Sequence, residues 1–304
     1  MFYFLKTLIL FTLSDFKTFV IPESAFGLFG ALSGPAMTTN RNADLLTIGS
    51  RVPHVVLWTW LNIVLFTLSN QRLPDAVKED AINKPWRPLP AGRITGFQAM
   101  QLLLVGIPVV FFASFYLGGV EETVLLTCLN WMYNELGGSE DYIGRNLLLA
   151  ATYACYCSGS VKVASGHEYT MHRAAYQWIA IIAGVIFTTM QVQDLKDQAG
   201  DQARGRRTMP LVLGDKPTRW TIAVPVLIWS IACPTFWSLQ AFNFATSIAL
   251  GLVVVFRVVL LQGIAADRLT WKLWCLWLTF LYLLPVFKDH GFISSFWAVP
   301  HSLT

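Results

Sequence analysis

An all-α, polytopic membrane protein is the fold class this sequence predicts, on three observations. Hydrophobic residues make up 55% of the 304 and charged residues only 13%, with a mean hydropathy of +0.52. A soluble domain carries about 25% charged residues, so this chain is short of surface for water, and a bilayer resolves the shortage. Apolar runs recur along it at about 16 to 24 residues, the length that crosses a hydrocarbon core of roughly 30 Å. Alternating ten-residue segments do not occur, which excludes a transmembrane barrel.

Taken in order, the N-terminal stretch MFYFLKTLILFTLSDFKTF has an apolar patch but no small-residue cleavage site. It reads as an uncleaved interfacial segment leading into the first span. Spans follow near 16–36, 51–69, 95–118, 120–135, 143–165, 172–192, 217–238, 241–262 and 268–288. That is about nine, or eight if the short fourth, divided from the third only by GGVEET, does not cross. One domain covering 1–304 contains them all. The five cysteines (Cys128, Cys155, Cys157, Cys233, Cys275) lie inside apolar runs without zinc-site flanks, so they read as reduced, buried side chains. No basic run with interleaved aromatics appears outside the charged loops. Nucleic acid is therefore not an expected partner. No obligate protein partner is evident either, and the lipid bilayer is the expected surrounding.

Charge falls unevenly between the spans. The loops at 70–93 and 193–216, with a short one near 137–142, fall on one side. The two long ones hold Arg72, Lys78, Lys84, Arg87, Arg93, Lys196, Arg204, Arg206, Arg207 and Lys216. Opposite loops offer little beyond Arg41, Arg51 and Arg173. The positive-inside rule puts the rich side in the cytoplasm, and the endoplasmic reticulum is the expected membrane.

Those two loops carry the chemistry. In LSNQRLPDAVKEDAINKPWRPLPAGRIT, 68–95, Asp75 and Glu79 stand one helical turn apart with Asp80 beside them. Pro85, Pro88 and Pro90 then forbid a continuing helix and predict an extended strap carrying Lys84, Arg87 and Arg93. In MQVQDLKDQAGDQARGRRTMPLVLGD, 190–215, a helix would put Asp194, Asp197 and Asp201 on one face, followed by a knot of arginines. One such loop is most simply a solvated loop with surface ion pairs worth little. Two of matching chemistry on one side are not so simply explained. Carboxylates with arginines and lysines suit a metal-bridged diphosphate, because Mg²⁺ binds through one or two carboxylates plus phosphates and the cations take the remaining oxygens. Sites at helix ends on one side, with no visible inverted repeat, argue against a transporter.

The second loop, with Asp194, Asp197 and Asp201, then Arg204, Gly205 and Arg207 before a P-x-x-x-G end, resembles the second motif of the UbiA superfamily of intramembrane prenyltransferases. NKPWRPLPAG resembles that family's strap after its first motif, with Arg87 as phosphate ligand. The resemblance spans nearly the whole chain. It implies nine helices around a central, lipid-open cavity, with Mg²⁺ and a prenyl diphosphate held by Asp-rich motifs after helices two and six. It makes Asp75, Glu79, Asp80, Asp194, Asp197 and Asp201 the metal ligands, and Asp75, Glu79, Asp194, Asp197 and Asp201 the catalytic set. Asn70, Lys84, Arg87, Lys196, Arg204 and Lys162 are the expected diphosphate-binding residues.

The first motif departs from the family form N-D-x-x-D-x-x-x-D. Gln71 follows Asn70 where an aspartate is usual, Asp75 comes one residue late, and the last acidic place is shared by Glu79 and Asp80. This pattern, with WMYNELGG at 131–138 and RNLL after it, is similar to the fungal membrane-bound terpene cyclases of the same superfamily. The likeness implies that a farnesyl or geranylgeranyl diphosphate is ionised and its cation closes on its own chain. Transfer of the prenyl group to an aromatic or polyketide acceptor is the alternative. A dry cavity walled by aromatic faces would stabilise such a cation. Candidates are Phe16, Phe19, Phe26, Trp58, Tyr133, Tyr153, Tyr156, Trp178 and Phe187.

Overall fold

The computed structural model describes residues 2–288, and among these every named element is a helix. Residues 1 and 289–304, which the single-domain expectation included, lie outside the described residues. Seven helical segments are long and apolar enough to cross a membrane: Leu45–Gln71, Gly96–Leu117, Tyr142–Ser165, Arg173–Lys196, Asp215–Phe236, Ala241–Leu260 and Ile264–Phe287. The expected first and fourth spans correspond to α2 (Ile21–Leu32) and α7 (Val120–Asn134), at 12 and 15 residues too short to count on their own.

The first span differs most from expectation. Helix α1 (Phe2–Asp15) runs through a π-helical turn, Phe16–Val20, straight into α2. Its apolar side chains Tyr3, Phe4, Leu5 and Ile9 are exposed, and it lies beside α4 (Val52–Gln71). The Gln71 amide donates to the Phe11 carbonyl at 2.9 Å, and the Trp60 indole to Thr12 at 3.0 Å.

Two short helices, α3 (Leu45–Ser50) and α5 (Pro74–Asn83), flank α4. The remaining boundaries follow local chemistry. Thr95 and Gln98 form a capping box that starts α6 (Gly96–Leu117), and Gly118 at φ +101° ends it. Asp141 caps α8 (Tyr142–Ser165) through the amides of Ile143 and Gly144. Helix α9 (Arg173–Thr189) tightens into a 3₁₀ stretch, Met190–Lys196, before α10 (Gln198–Arg204) and α11 (Met209–Leu213). Three long helices complete the bundle: α12 (Asp215–Phe236), α13 (Ala241–Leu260) and α14 (Ile264–Leu283).

The prolines after α5 stop the helix as expected, but the strap is not extended. It coils into successive turns, with Arg87 N on Lys84 O at 2.9 Å, Ala91 N on Arg87 O at 3.0 Å and Arg93 N on Pro88 O at 2.9 Å.

Helix α8 is the axis of packing, touching α2, α4, α7 and α9. Trp58 is wholly buried against Tyr156, rings 5.8 Å apart, where Gly159 leaves room for its indole. Gly27 lets α2 approach the α8 backbone: a Cβ there would lie 2.4 Å from the Ser160 carbonyl oxygen. Helix α6 presents Leu104, Val105, Val109 and Phe112 outward, as a lipid-facing helix does.

The bundle has two unlike ends. At one, the loops after α4, α7 and α9 meet: Arg207 N bonds Glu140 O at 2.8 Å, and Arg204 reaches both Glu79 and Glu140. At the other, the chain near Thr38 pairs with Met171, and Arg51 donates twice to the Val163 carbonyl.

Because backbone cannot move aside as a side-chain tip can, Gly27→Ala is expected to cost about 1–3 kcal/mol of stability. The thermal midpoint of the purified protein in detergent should fall by several degrees. An unchanged midpoint would show that α2 and α8 can part without loss.

Candidate active site

The polar end is built from three places. Helix α4 supplies Asn70 and Gln71 in its last turn. The Asn70 amide donates to Asn134 Oδ1 at 2.7 Å, and the Asn134 amide continues to Asn130 Oδ1 at 2.6 Å, so Asn70 belongs to an amide ladder between α4 and α7. Gln71 is 1% exposed and points the other way, onto α1.

Helix α5 then sorts its three acids. Asp75, in its exposed first turn, pairs with Lys78 at 2.8 Å and faces water, with its pKa lowered by that hydrogen bond. The expected pairing of Asp75 with Glu79 is therefore not what the structure holds. Asp80, which the helical register had made secondary, is the buried partner: 2% exposed, it takes both bonds from Arg87 Nη1, at 2.7 and 3.0 Å. Burial raises the Asp80 pKa even so. For Arg87, burial is outweighed by Asp80 and Asp15, and its pKa rises; Nη2 also donates to Ser14 Oγ at 3.0 Å. Glu79 turns across the gap to α10, meeting Arg204 and Arg206 at 3.1 Å each.

The second motif is not one continuous helix: a 3₁₀ stretch carries Asp194, and α10 begins after Asp197. Asp194 sits in the 3₁₀ stretch, 1% exposed, with Arg145 Nη1 at 2.5 Å from Oδ1. Asp197 precedes α10 and pairs with Lys196; burial is overcome by Lys196 and Lys84, which hold its carboxyl below the usual range. Asp201, in the first turn of α10, lies 3.4 Å from Arg206 Nη1. Burial, with Asp194 and Glu79 nearby and Arg145 opposing, pushes its pKa up to about 7. Lys84, half-buried, is lowered by its removal from water and by Arg87 beside it. Asn83 Nδ2 bonds the Asp197 carbonyl at 3.2 Å, and a Cβ on Gly200 would strike the Asn83 amide at 2.1 Å. Here α5 and α10 touch.

Asp194 and Asp201 each keep one buried carboxylate oxygen, Oδ2, without a hydrogen-bond partner. Such atoms are costly unless something else satisfies them. Among the described residues no group of three or more His, Cys, Asp or Glu side chains is placed to hold a metal ion by itself. What remains is two open oxygens on carboxylates whose other oxygens meet Arg145 and Arg206.

Lys162 belongs elsewhere. It ends α8 at the opposite face, bonded to Glu121 at 2.6 Å and Glu122 at 2.8 Å. At ~1.5 Å rise per residue, α8 carries it roughly 25 Å from Arg145. Of the aromatic candidates, Phe19 joins Tyr153 and Tyr156 at 4.9 and 4.7 Å, with Trp58 beyond, and Phe26 meets Tyr282 at 4.9 Å. Tyr133 takes a bond from Arg145 Nε at 3.2 Å. Trp178 instead stacks on Phe236, while Phe16 and Phe187 are exposed.

Sequence reasoning gave no site role to Arg145, Arg206, Glu140 or Glu23. An arginine opening an apolar span was a usable signal for the first. Glu23 carried the same signal: it is wholly buried among the aromatics, accepting from Tyr282 Oη at 2.8 Å. Nothing in RGRR separates Arg206 from its neighbours.

A family model described as the UbiA prenyltransferase family matches residues 27–281. The chain belongs to the UbiA prenyltransferase family. It is 33% identical over 234 residues to the fumagillin beta-trans-bergamotene synthase of Aspergillus fumigatus, covering 77% of this chain and 75% of that one. To the somaliensene A/B synthase of Streptomyces somaliensis it is 31% identical, covering 89% and 88%. Among solved structures, a UbiA homolog from Archaeoglobus fulgidus bound to GPP and Mg²⁺ superposes with a TM-score of 0.63. That match is 13% identical and covers 92% of this chain and 99% of that one. The polytopic fold of this UbiA family member is thus shared with solved relatives.

The sorting of α5 makes a contrast. In purified variants of equal yield, Asp75→Asn should change turnover of a prenyl donor by less than about twofold, while Glu79→Gln and Asp80→Asn lower kcat by about 10²-fold. A large effect at Asp75 with none at Asp80 would reverse the reading.

Proposed function

We propose that this chain is a Mg²⁺-dependent, membrane-bound terpene cyclase that ionises farnesyl or geranylgeranyl diphosphate and closes the cation on its own chain. The observation that carries the metal is the pair of unpartnered, buried oxygens on Asp194 and Asp201. Their hard-oxygen chemistry fits Mg²⁺, which needs only one or two protein carboxylates when phosphates and water complete its shell. Glu79, Asp80 and Asp197 belong to the same charged end and would join them if their arginine and lysine partners turned to phosphate. Bound Mg²⁺ would draw charge from the diphosphate and make it a better leaving group.

Lys84, Arg87, Lys196 and Arg204 would take the outward phosphate oxygens, and Arg145 and Arg206 would hold the aspartates in place. The allylic C–O bond breaks with its electron pair leaving on the diphosphate. A double bond of the same chain supplies electrons to the cation, and one proton leaves with the diphosphate, giving a cyclic hydrocarbon. The cluster of Phe19, Tyr153, Tyr156 and Trp58 would be the aromatic surface that stabilises the cation, each ring worth about 0.5–2 kcal/mol when desolvated. Relatives named as terpene synthases support cyclisation over transfer to an acceptor. Within the cell, the excess of Lys and Arg at the polar end supports an orientation with that end in the cytoplasm, and the endoplasmic reticulum is the membrane we propose.

The test is direct. Purified protein is given each diphosphate separately with Mg²⁺ and no acceptor, and a hexane extract is analysed by gas chromatography and mass spectrometry. A cyclic hydrocarbon is expected, abolished by EDTA and restored by added Mg²⁺, and lost in Asp194→Asn and Asp201→Asn. Activity that appears only with an aromatic acceptor would establish acceptor prenylation instead.

A further inference from the structure

A second opening lies at the far face, away from the polar end. It is a cavity of about 750 Å³ where α6 meets α7 and α8 meets α9. Its floor is the triad that displaced Lys162 from the active site. Glu122 is 5% exposed, and its Oε1 already takes Ser158 Oγ at 2.6 Å and Lys162 Nζ at 2.8 Å. Lys162 also holds Glu121 Oε2 at 2.6 Å. Glu122 Oε2 is buried and has no partner. One lysine among two glutamates leaves the triad with an excess of one negative charge, and the open oxygen is on its buried member.

The walls suit a cation. Phe115, Tyr116 and Tyr176 line the cavity and are 67%, 64% and 54% exposed, so their rings are free to face a ligand. Ring faces attract ammonium groups, and quaternary ammonium groups are the ones aromatic walls recognise best. Aromatic side chains at a helix end also mark the depth of lipid headgroups. We infer that this cavity binds the ammonium headgroup of a bilayer phospholipid, with the ammonium against Glu122 and the aromatic wall. The site is independent of the reaction at the other end and needs neither Mg²⁺ nor prenyl diphosphate.

Delipidated protein in detergent is titrated with dioleoylphosphatidylcholine, with dioleoylphosphatidylglycerol and with choline chloride, and bound molecules are counted by native mass spectrometry. The choline lipid should bind more tightly than the glycerol lipid and more tightly than choline alone. Glu122→Gln should weaken it by at least about tenfold, because a quaternary ammonium donates no hydrogen bond and is held by the carboxylate's charge. Tyr176→Ala, at an exposed position, should weaken it while the fold is kept. Lys162→Met, which removes the competing cation, should retain or strengthen it. Equal binding of both lipids together with loss in Lys162→Met would mean a phosphate site and overturn the inference. Choline chloride matching the lipid would overturn the lipid assignment, and indifference to both Glu122→Gln and Tyr176→Ala would overturn the site itself.

Discussion

The polar end is held together by Glu79. Its carboxylate lies between Arg204 and Arg206, and so joins α5 to the segment after α9 across more than a hundred residues of chain. Arg206 passes the contact to Asp201, and Arg204 passes it to Glu140 in the short loop after α7. Burying so many ions is a poor way to gain stability, because desolvation cancels much of the attraction. Removing one partner is far worse, since it strands the other. A network of this kind survives because its members are needed as charges. Here the cations and carboxylates neutralise each other and tie the three loops together. Diphosphate and metal would bring opposite charges in similar number, so an exchange of partners need not leave any of these groups bare.

Most of the long helices could be read directly, because a bilayer imposes length and hydropathy together. Spans expected near 95–118, 143–165 and 241–262 are observed at Gly96–Leu117, Tyr142–Ser165 and Ala241–Leu260. The N-terminal segment leads into the first span through a π turn, Phe16–Val20, which hydropathy does not signal. Periodicity assumes a regular helix, and the second motif departs from that assumption. The 3₁₀ stretch at Met190–Lys196 turns Asp194 toward Arg145 and leaves Asp197 with the lysines. On α5 the register was right, but it cannot say which face is inward. That depends on Arg87, seven residues on, returning through turns to claim Asp80. Lys162 failed for a plainer reason: a lone lysine in a span says only that it has a partner, and its partners were the glutamates of GGVEET.

Gln71 shows how fold and chemistry constrain each other at one position. The family form places an aspartate after the asparagine that ends the second long span. Here the side chain is 1% exposed and its amide donates to the carbonyl of Phe11, one of the bonds that fix α1 against α4. A carboxylate in that place would set its oxygens against a carbonyl oxygen in a site closed to water, and a shorter aspartate would also have less reach. An amide is what this packing requires. In turn α1 brings Ser14 and Asp15 to Arg87, so the helix that Gln71 anchors helps to position a cation of the polar end. The lost negative charge is thus tied to a gained contact: the first motif gives up an acid at its start and keeps Asp80 and Glu79 at its end, where the arginines are. Under the proposed function the diphosphate would therefore be held from α5 and α10, where these acids and arginines meet.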